Sequence, residues 1–219
     1  MNYLNTIAEY EGAVIEVMPR YWAAHQEAAR AAGFEGPPRE EFLRLYRQGA
    51  AMAQMLPHAR PHHIEEYKRV WGQRVDASDL MALDVAVEGA AANYRVLKNM
   101  GNCHLATYCR NRDGINATLD RLNLWMYFDR KTVLPEEPRR RVESLREMAG
   151  TRVTLAIAGT VPFAYAASEA GCRVVALAHG PVFPRRLRQV GVDVFFESLD
   201  ELTDALSKGR EDLRRIGIC

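Results

Sequence analysis

The spacing of apolar and polar positions changes character along the chain. A short apolar run, Leu4 to Ala8, gives way to Glu9-Tyr10-Glu11-Gly12, which predicts a strand ending in a polar loop. From about Met18 to Met100 the period is helical, and Ala, Glu, Arg, Leu and Met dominate over β-branched residues. Tyr21–Arg30 is amphipathic and runs toward Gly33, an expected C-cap. Gly36-Pro37-Pro38 breaks the pattern, Arg39–Met55 resumes it, and Pro57 and Pro61 bracket a second break. His62–Gln73 and Ser78–Asn99 complete the helical stretch, with Ser78 placed to N-cap the last helix.

Past Gly101 the texture becomes alternating. Strands are expected at Cys103–Cys109, Arg152–Ala158, Arg173–Ala178 and Val192–Phe196, and helices at Asp113–Leu122, Pro138–Met148, Pro162–Ala170, Pro184–Val190 and Leu199–Lys208. Strand and helix in turn, joined by short links, indicate an α/β fold with a doubly wound parallel sheet. Leu4–Ala8 would be orphaned unless it joins that sheet. The expected organisation is therefore an α/β core of residues 1–14 and 101–219, with an all-helical cap, residues 15–100, inserted after the first strand.

Composition narrows the function classes. Hydrophobic residues make up 48% and charged residues 26%, which supports an ordinary globular core. A net charge of +1 leaves no global basic field, so nucleic acid is not an expected partner. No apolar run approaches the ~20 residues of a membrane span, and MNYLNTIAEYEG lacks the basic start and long apolar stretch of a secretory signal, so a cytoplasmic protein without a membrane partner is expected. The cysteines Cys103, Cys109, Cys172 and Cys219 form no CxxC pair, so structural zinc is not expected and buried free thiols are.

Several segments, in order, resemble the haloacid dehalogenase (HAD) superfamily over nearly the whole chain, closest to its phosphoglycolate phosphatase-like branch with a helical cap. Thr6-Ile7-Ala8-Glu9-Tyr10-Glu11-Gly12-Ala13-Val14 resembles the first motif, a strand ending in Asp-x-Asp-Gly. Leu105–Arg112 is similar to the second motif's strand and loop, and Leu124–Asp129 to the "yFd" segment. Ala158–Gly171 parallels the fourth motif and its helix, and Gly191–Leu202 the usual ending.

The resemblance implies a known chemistry. An Asp attacks phosphorus and a second Asp, two residues on, protonates the leaving group. Magnesium, held by the nucleophile, a backbone carbonyl and a fourth-motif Asp, neutralises the phosphoryl charge. A Ser or Thr binds a phosphate oxygen, and a Lys offsets charge. In this chain Glu9 stands at the nucleophile position and Glu11 at the acid position, each longer by one methylene, ~1.5 Å. A misplacement near 1 Å can cost about a hundredfold in rate. Cys109 is expected where the second motif has Ser or Thr, and Leu134 where the third has Lys, with Lys131 three residues earlier. At the fourth motif, Gly159 and Pro162–Phe163 leave no acid for a metal. No metal ligands are therefore assigned, and magnesium is expected only if activity is retained.

Plainer readings stand beside these. Glu9 and Glu11 could be solvated loop carboxylates. Cys109 could be a buried strand thiol rather than a reactive one activated by Arg110 and Arg112. His62-His63, beside Glu65 and Glu66, reads as a helix surface, because adjacent helical residues diverge. Candidate ligand contacts are Arg110 and Arg112, which could grip an anion, together with Thr160, His179 and Lys131. The expectation is a HAD-like protein that does not hydrolyse phosphate and binds a small anionic ligand or a protein partner between cap and core. Two alternatives stay open: a HAD-family hydrolase, using Glu9 and Glu11 weakly or a repurposed Cys109, and a structural subunit of a larger assembly.

Overall fold

A computed structural model describes residues 4–56, 58–192, 194–209, 211–215 and 217–218. Pro57, Asp193 and Cys219, which figured in the sequence reading, lie outside the described residues. Contacts divide the chain into two compact units, one of Met1–Glu16, Ala86–Tyr108 and Leu119–Cys219, the other of Val17–Val85 and Cys109–Thr118. The division differs from the expected 15–100 insertion at both ends. The helix Ala90–Met100 belongs with the sheet, and the segment after Tyr108 belongs with the helices.

The α/β unit is built on strands β1 (Leu4–Glu9), β4 (Gly101–Thr107), β5 (Arg130–Val133), β6 (Thr154–Ala158), β7 (Arg173–Leu177) and β8 (Val194–Phe196); β2 (Ile15–Glu16) and β3 (Val85–Ala86) are short strands outside this sheet. The order is β5-β4-β1-β6-β7-β8, and every adjacent pair is parallel. The first strand in sequence is thus central in space, flanked by β4 and β6. Its residues are all buried, as a strand covered on both faces must be, including the polar Asn5, whose Nδ2 donates to the Met148 carbonyl and to Thr154 Oγ1. Alternate residues turn to opposite faces. Ile7, Ala156 and Ala176 pack with Leu145, Phe163 and Leu187. Helix Ala90–Met100 packs on β1 and β4 and against Leu199–Lys208.

Several expected elements come out differently: Arg39–Met55 is two helices, Arg39–Gln48 and Met52–Met55, and the strand Arg130–Val133 was not anticipated. The strand expected to reach Cys109 ends at Thr107, because its ladder partners run out: Glu9 pairs with Ala106 and Thr107 with Val133, and the neighbouring strands end there. The single helix expected over Ser78–Asn99 is two helices, Ser78–Met81 and Ala90–Met100. Ser78 lies inside the first, which Ala77 precedes as N-cap, and Gly89, at φ 71°, starts the second.

Asp84, in the gap between those helices, is pulled inward by charge. Arg20 and Asp84 are both fully buried, with Arg20 Nε 3.1 Å from Asp84 Oδ1, and Asp76 lies 3.5 Å from Arg20 Nη1. Asp76 also accepts the Arg110 backbone N–H at 3.0 Å, while its carbonyl accepts from Asn111 Nδ2 at 2.9 Å. One acidic residue therefore ties the 109–118 segment into the helical unit. Small apolar clusters around Tyr67 and Phe42 complete that unit's core. His63 uses Nδ1 to accept the Arg60 N–H at 3.1 Å, a helix-start bond. Among the described residues no helix is long and apolar enough to cross a membrane.

Removing one partner of a buried ion pair leaves the other charge uncompensated. Asp84→Ala should lower stability by about 3–5 kcal/mol, read as an earlier midpoint in urea titration. A loss under 1 kcal/mol would show that Arg20 finds other compensation.

Candidate functional site

The carboxyl ends of parallel strands are where an α/β sheet gathers its ligand-facing groups. At the end of β1, Glu9 is fully buried. Its neighbour β6 ends at Ala158, and Gly159-Thr160 turn the chain into the helix Val161–Glu169, with Thr160 as N-cap. The Glu9 carboxylate lies against this turn. Oε2 accepts the backbone N–H groups of Gly159 at 2.7 Å and Thr160 at 2.8 Å, and Oε1 accepts the Thr160 hydroxyl at 2.6 Å. A helix start presents free N–H groups and a partial positive charge, so it is a seat for an anion. Here the anion is part of the chain.

The backbone after Glu9 is shaped to allow this. Tyr10–Val14 forms a single wide turn, buried throughout rather than a polar loop. Gly12 holds φ 86°, and a Cβ there would lie 2.1 Å from Pro181 Cδ. Gly159 packs onto the same turn so closely that a Cβ would sit 1.8 Å from the Glu11 carbonyl oxygen.

Glu11, 3% exposed, receives the Thr107 hydroxyl on Oε1 at 2.7 Å. The two glutamates are thus buried rather than solvated, Glu11 held by Thr107 at the end of β4 and Glu9 by Thr160 in the turn after β6. Burial, and then the Glu11 charge, push the Glu9 carboxyl up from 4.5 to about 8, against the hydrogen bonds from Thr160 and Gly159. Both carboxylates, after burial itself, help push the Tyr108 phenol up. The Arg141 guanidinium lies over the Tyr108 ring, 4.8 Å from its centroid, and donates to the carbonyls of Pro135 and Glu136.

The structure gathers part of the expected residue set. Glu9, Glu11 and Thr160 come together. Cys109 lies two residues beyond the end of β4, and Thr107, the last residue of that strand, donates its hydroxyl to Glu11. Cys109 is a buried thiol of the helical unit, with Sγ 3.8 Å from Met81 Sδ. Cys103 and Cys172 are also buried free thiols. Arg110 and Arg112 are exposed and fall in the helical unit. Lys131 sits on β5 with its ammonium 3.0 Å from the Trp125 ring centroid. His179 is exposed on the turn after β7 and makes no recorded hydrogen bond to either glutamate. Leu134 is buried at the third-motif position. Sequence reading missed Thr107, Tyr108 and Arg141. Counting the β4 ladder from Gly101 against Leu4 would have found Thr107.

These residues do not fit magnesium. Both Glu9 oxygens accept N–H or O–H donors, Thr107 takes one oxygen of Glu11, and a seat lined by N–H groups repels a cation. Among the described residues no three His, Cys, Asp or Glu side chains cluster as a metal site.

No family model and no curated protein matches this chain. Solved structures do. A haloacid dehalogenase-like family hydrolase from Streptococcus pneumoniae superposes with a TM-score of 0.75 at 13% identity, covering 96% of this chain and 100% of its own. A HAD-superfamily hydrolase of subfamily IA from Geobacter sulfurreducens gives 0.63 at 20% identity, covering 91% and 94%. A protein described as a predicted phosphoglycolate phosphatase from Haemophilus somnus gives 0.67 at 14% identity, covering 94% and 97%.

Two outcomes follow from this geometry. A group whose pKa rises from 4.5 to about 8 on folding binds more protons folded than unfolded in that window, so stability is greatest below pH 4.5 as far as Glu9 is concerned and falls as pH rises toward 8. The slope approaches about 1.4 kcal/mol per pH unit at most. Glu9→Gln mimics the protonated acid and should flatten this slope in urea titrations between pH 5 and 8; an unchanged slope would place the proton elsewhere. Gly159→Ala should force the turn off Glu11 and lower the thermal midpoint by several degrees, by roughly 1–3 kcal/mol.

Proposed function

We propose that this chain, which has the fold of the haloacid dehalogenase-like hydrolases, does not transfer phosphoryl groups and acts by binding, with a small anionic ligand or a protein partner as its target. The observation that carries this reading is the hydrogen bonding of Glu9. A nucleophile must present an unprotonated lone pair to its substrate. Glu9 is fully buried, has both oxygens engaged by Gly159 and Thr160, and has its carboxyl pushed upward in pKa by that burial. The helix start that would stabilise a transferring phosphoryl group is already filled by the chain's own carboxyl. Leu134 supplies no charge at the third-motif position, and Thr160 supplies no metal-binding acid.

A hydrolase is the second reading. What favours it is that Glu9, Glu11 and Thr107 remain assembled at the ends of adjacent strands, and that the structural neighbours are described as hydrolases and phosphatases. One experiment separates the two. A panel of phosphomonoesters, including p-nitrophenyl phosphate and phosphoglycolate, is assayed with magnesium. The binding reading expects no turnover above that of Glu9→Gln. Turnover that is robust in the natural chain and vanishes in Glu9→Gln would overturn it. Shortening both glutamates, as Glu9→Asp with Glu11→Asp, should leave the chain inactive, because Leu134 and Thr160 stay unchanged. Activity in that double variant would show that side-chain length alone blocks catalysis.

A further inference from the structure

The helical unit contains a cavity of about 490 Å³ that no part of the preceding argument uses. Its volume lies in the roughly 300–1,000 Å³ range of small-molecule sites. It is lined by the rings of Trp22, His25, Phe34 and Pro37 and by the charged side chains of Arg30 and Glu35. All of these belong to the helical unit.

The floor of the cavity is fixed. His25 is fully buried, stacked on Phe42 at 4.4 Å between ring centroids and on Trp22 at 5.5 Å. Its Nδ1 is 2.9 Å from the Tyr67 hydroxyl. Its Nε2 has no hydrogen-bond partner among the described residues and lies against Gly36, where a Cβ would come within 2.3 Å of it. Any side chain at position 36 would push into the imidazole. Glycine there keeps the ring stack in place. Burial lowers the His25 pKa to about 4, so the ring beneath the cavity is neutral.

The mouth carries the opposite character. Arg30 and Glu35 are exposed, and neither makes an ion pair among the described residues, whereas Glu27, Glu41, Glu65 and Glu66 of the same unit all do. A cation and an anion are thus left without internal partners beside an aromatic wall. An aromatic surface prefers a planar ring packed against it. A guanidinium prefers a carboxylate, and a carboxylate prefers an ammonium. One small molecule that satisfies all three is a zwitterion with an aromatic side chain.

We propose that this cavity binds a free aromatic α-amino acid, its ring against Trp22 and Phe34, its carboxylate on Arg30 and its ammonium on Glu35. The proposal is independent of how the Glu9 site functions.

The test is calorimetric titration of the full chain with L-phenylalanine and L-tryptophan, alongside 3-phenylpropionate, 2-phenylethylamine and L-leucine, which lack the amine, the carboxylate and the ring in turn. Saturable binding of the aromatic amino acids is expected, at least about tenfold weaker for each of the three deficient compounds. Arg30→Ala and Glu35→Gln, both at exposed positions, should each weaken L-phenylalanine by about tenfold or more and leave the thermal midpoint unchanged. Glu9→Gln should not alter binding. The proposal is overturned if neither aromatic amino acid binds saturably, or if binding survives both rim substitutions unchanged. Equal binding of 3-phenylpropionate would overturn the assignment of Glu35 to an ammonium.

Discussion

Burying a carboxylate without partners costs several kcal/mol even after the surroundings relax, and Glu9 is buried completely at the end of the central strand. The α/β unit meets that cost with a helix start. The N–H groups of Gly159 and Thr160 converge on one oxygen and the Thr160 hydroxyl meets the other. For them to converge, β6 must lie beside β1, the turn after Glu9 must be tight enough for Gly12 to adopt a positive φ, and position 159 must lack a side chain. Glu11 repeats the solution on the other side, with Thr107 from β4. The sheet order β4-β1-β6 is therefore what makes two buried acids tolerable. Burial first, and the Glu11 charge second, raise the Glu9 pKa.

Most of the sheet was legible in the sequence, because a strand covered on both faces writes itself as an apolar run. Thr154–Ala158 and Arg173–Leu177 were read to within a residue or two. The joining of Leu4–Ala8 to strands more than ninety residues away followed from the cost of an orphaned strand and is seen in the pairing of Leu4 with Gly101. What could not be read was the point where a ladder stops. Cys103–Cys109 is apolar to its end, yet β4 leaves the sheet at Thr107 because its neighbours have ended there. That shift of two residues puts Thr107 rather than Cys109 at the strand's end, where its hydroxyl meets Glu11. The helix break near Asp84 was hidden for a related reason. Helical propensity is local, whereas the attraction of Asp84 to Arg20, sixty-four positions earlier, is not.

The two units handle buried charge differently. In the helical unit a guanidinium is matched by carboxylates, Arg20 by Asp84 and Asp76, and the net buried charge is small. Asp76 carries the pairing outward, accepting the Arg110 N–H and so tying in the segment that follows β4. Among the described residues of the α/β unit no buried cation lies beside the glutamates. The compensating groups there are backbone N–H dipoles and hydroxyls.

This difference bears on the chemistry the α/β unit can perform. A phosphoryl-transfer centre keeps its anion seat empty until substrate arrives, because its donors must gain their partner in the transition state rather than before it. In this chain the donors at Gly159 and Thr160 already have a partner, the Glu9 carboxyl, which holds three hydrogen bonds there. Under the binding reading proposed for this chain, that carboxyl occupies the place a bound anion would take, and a phosphate would have to displace it from those donors.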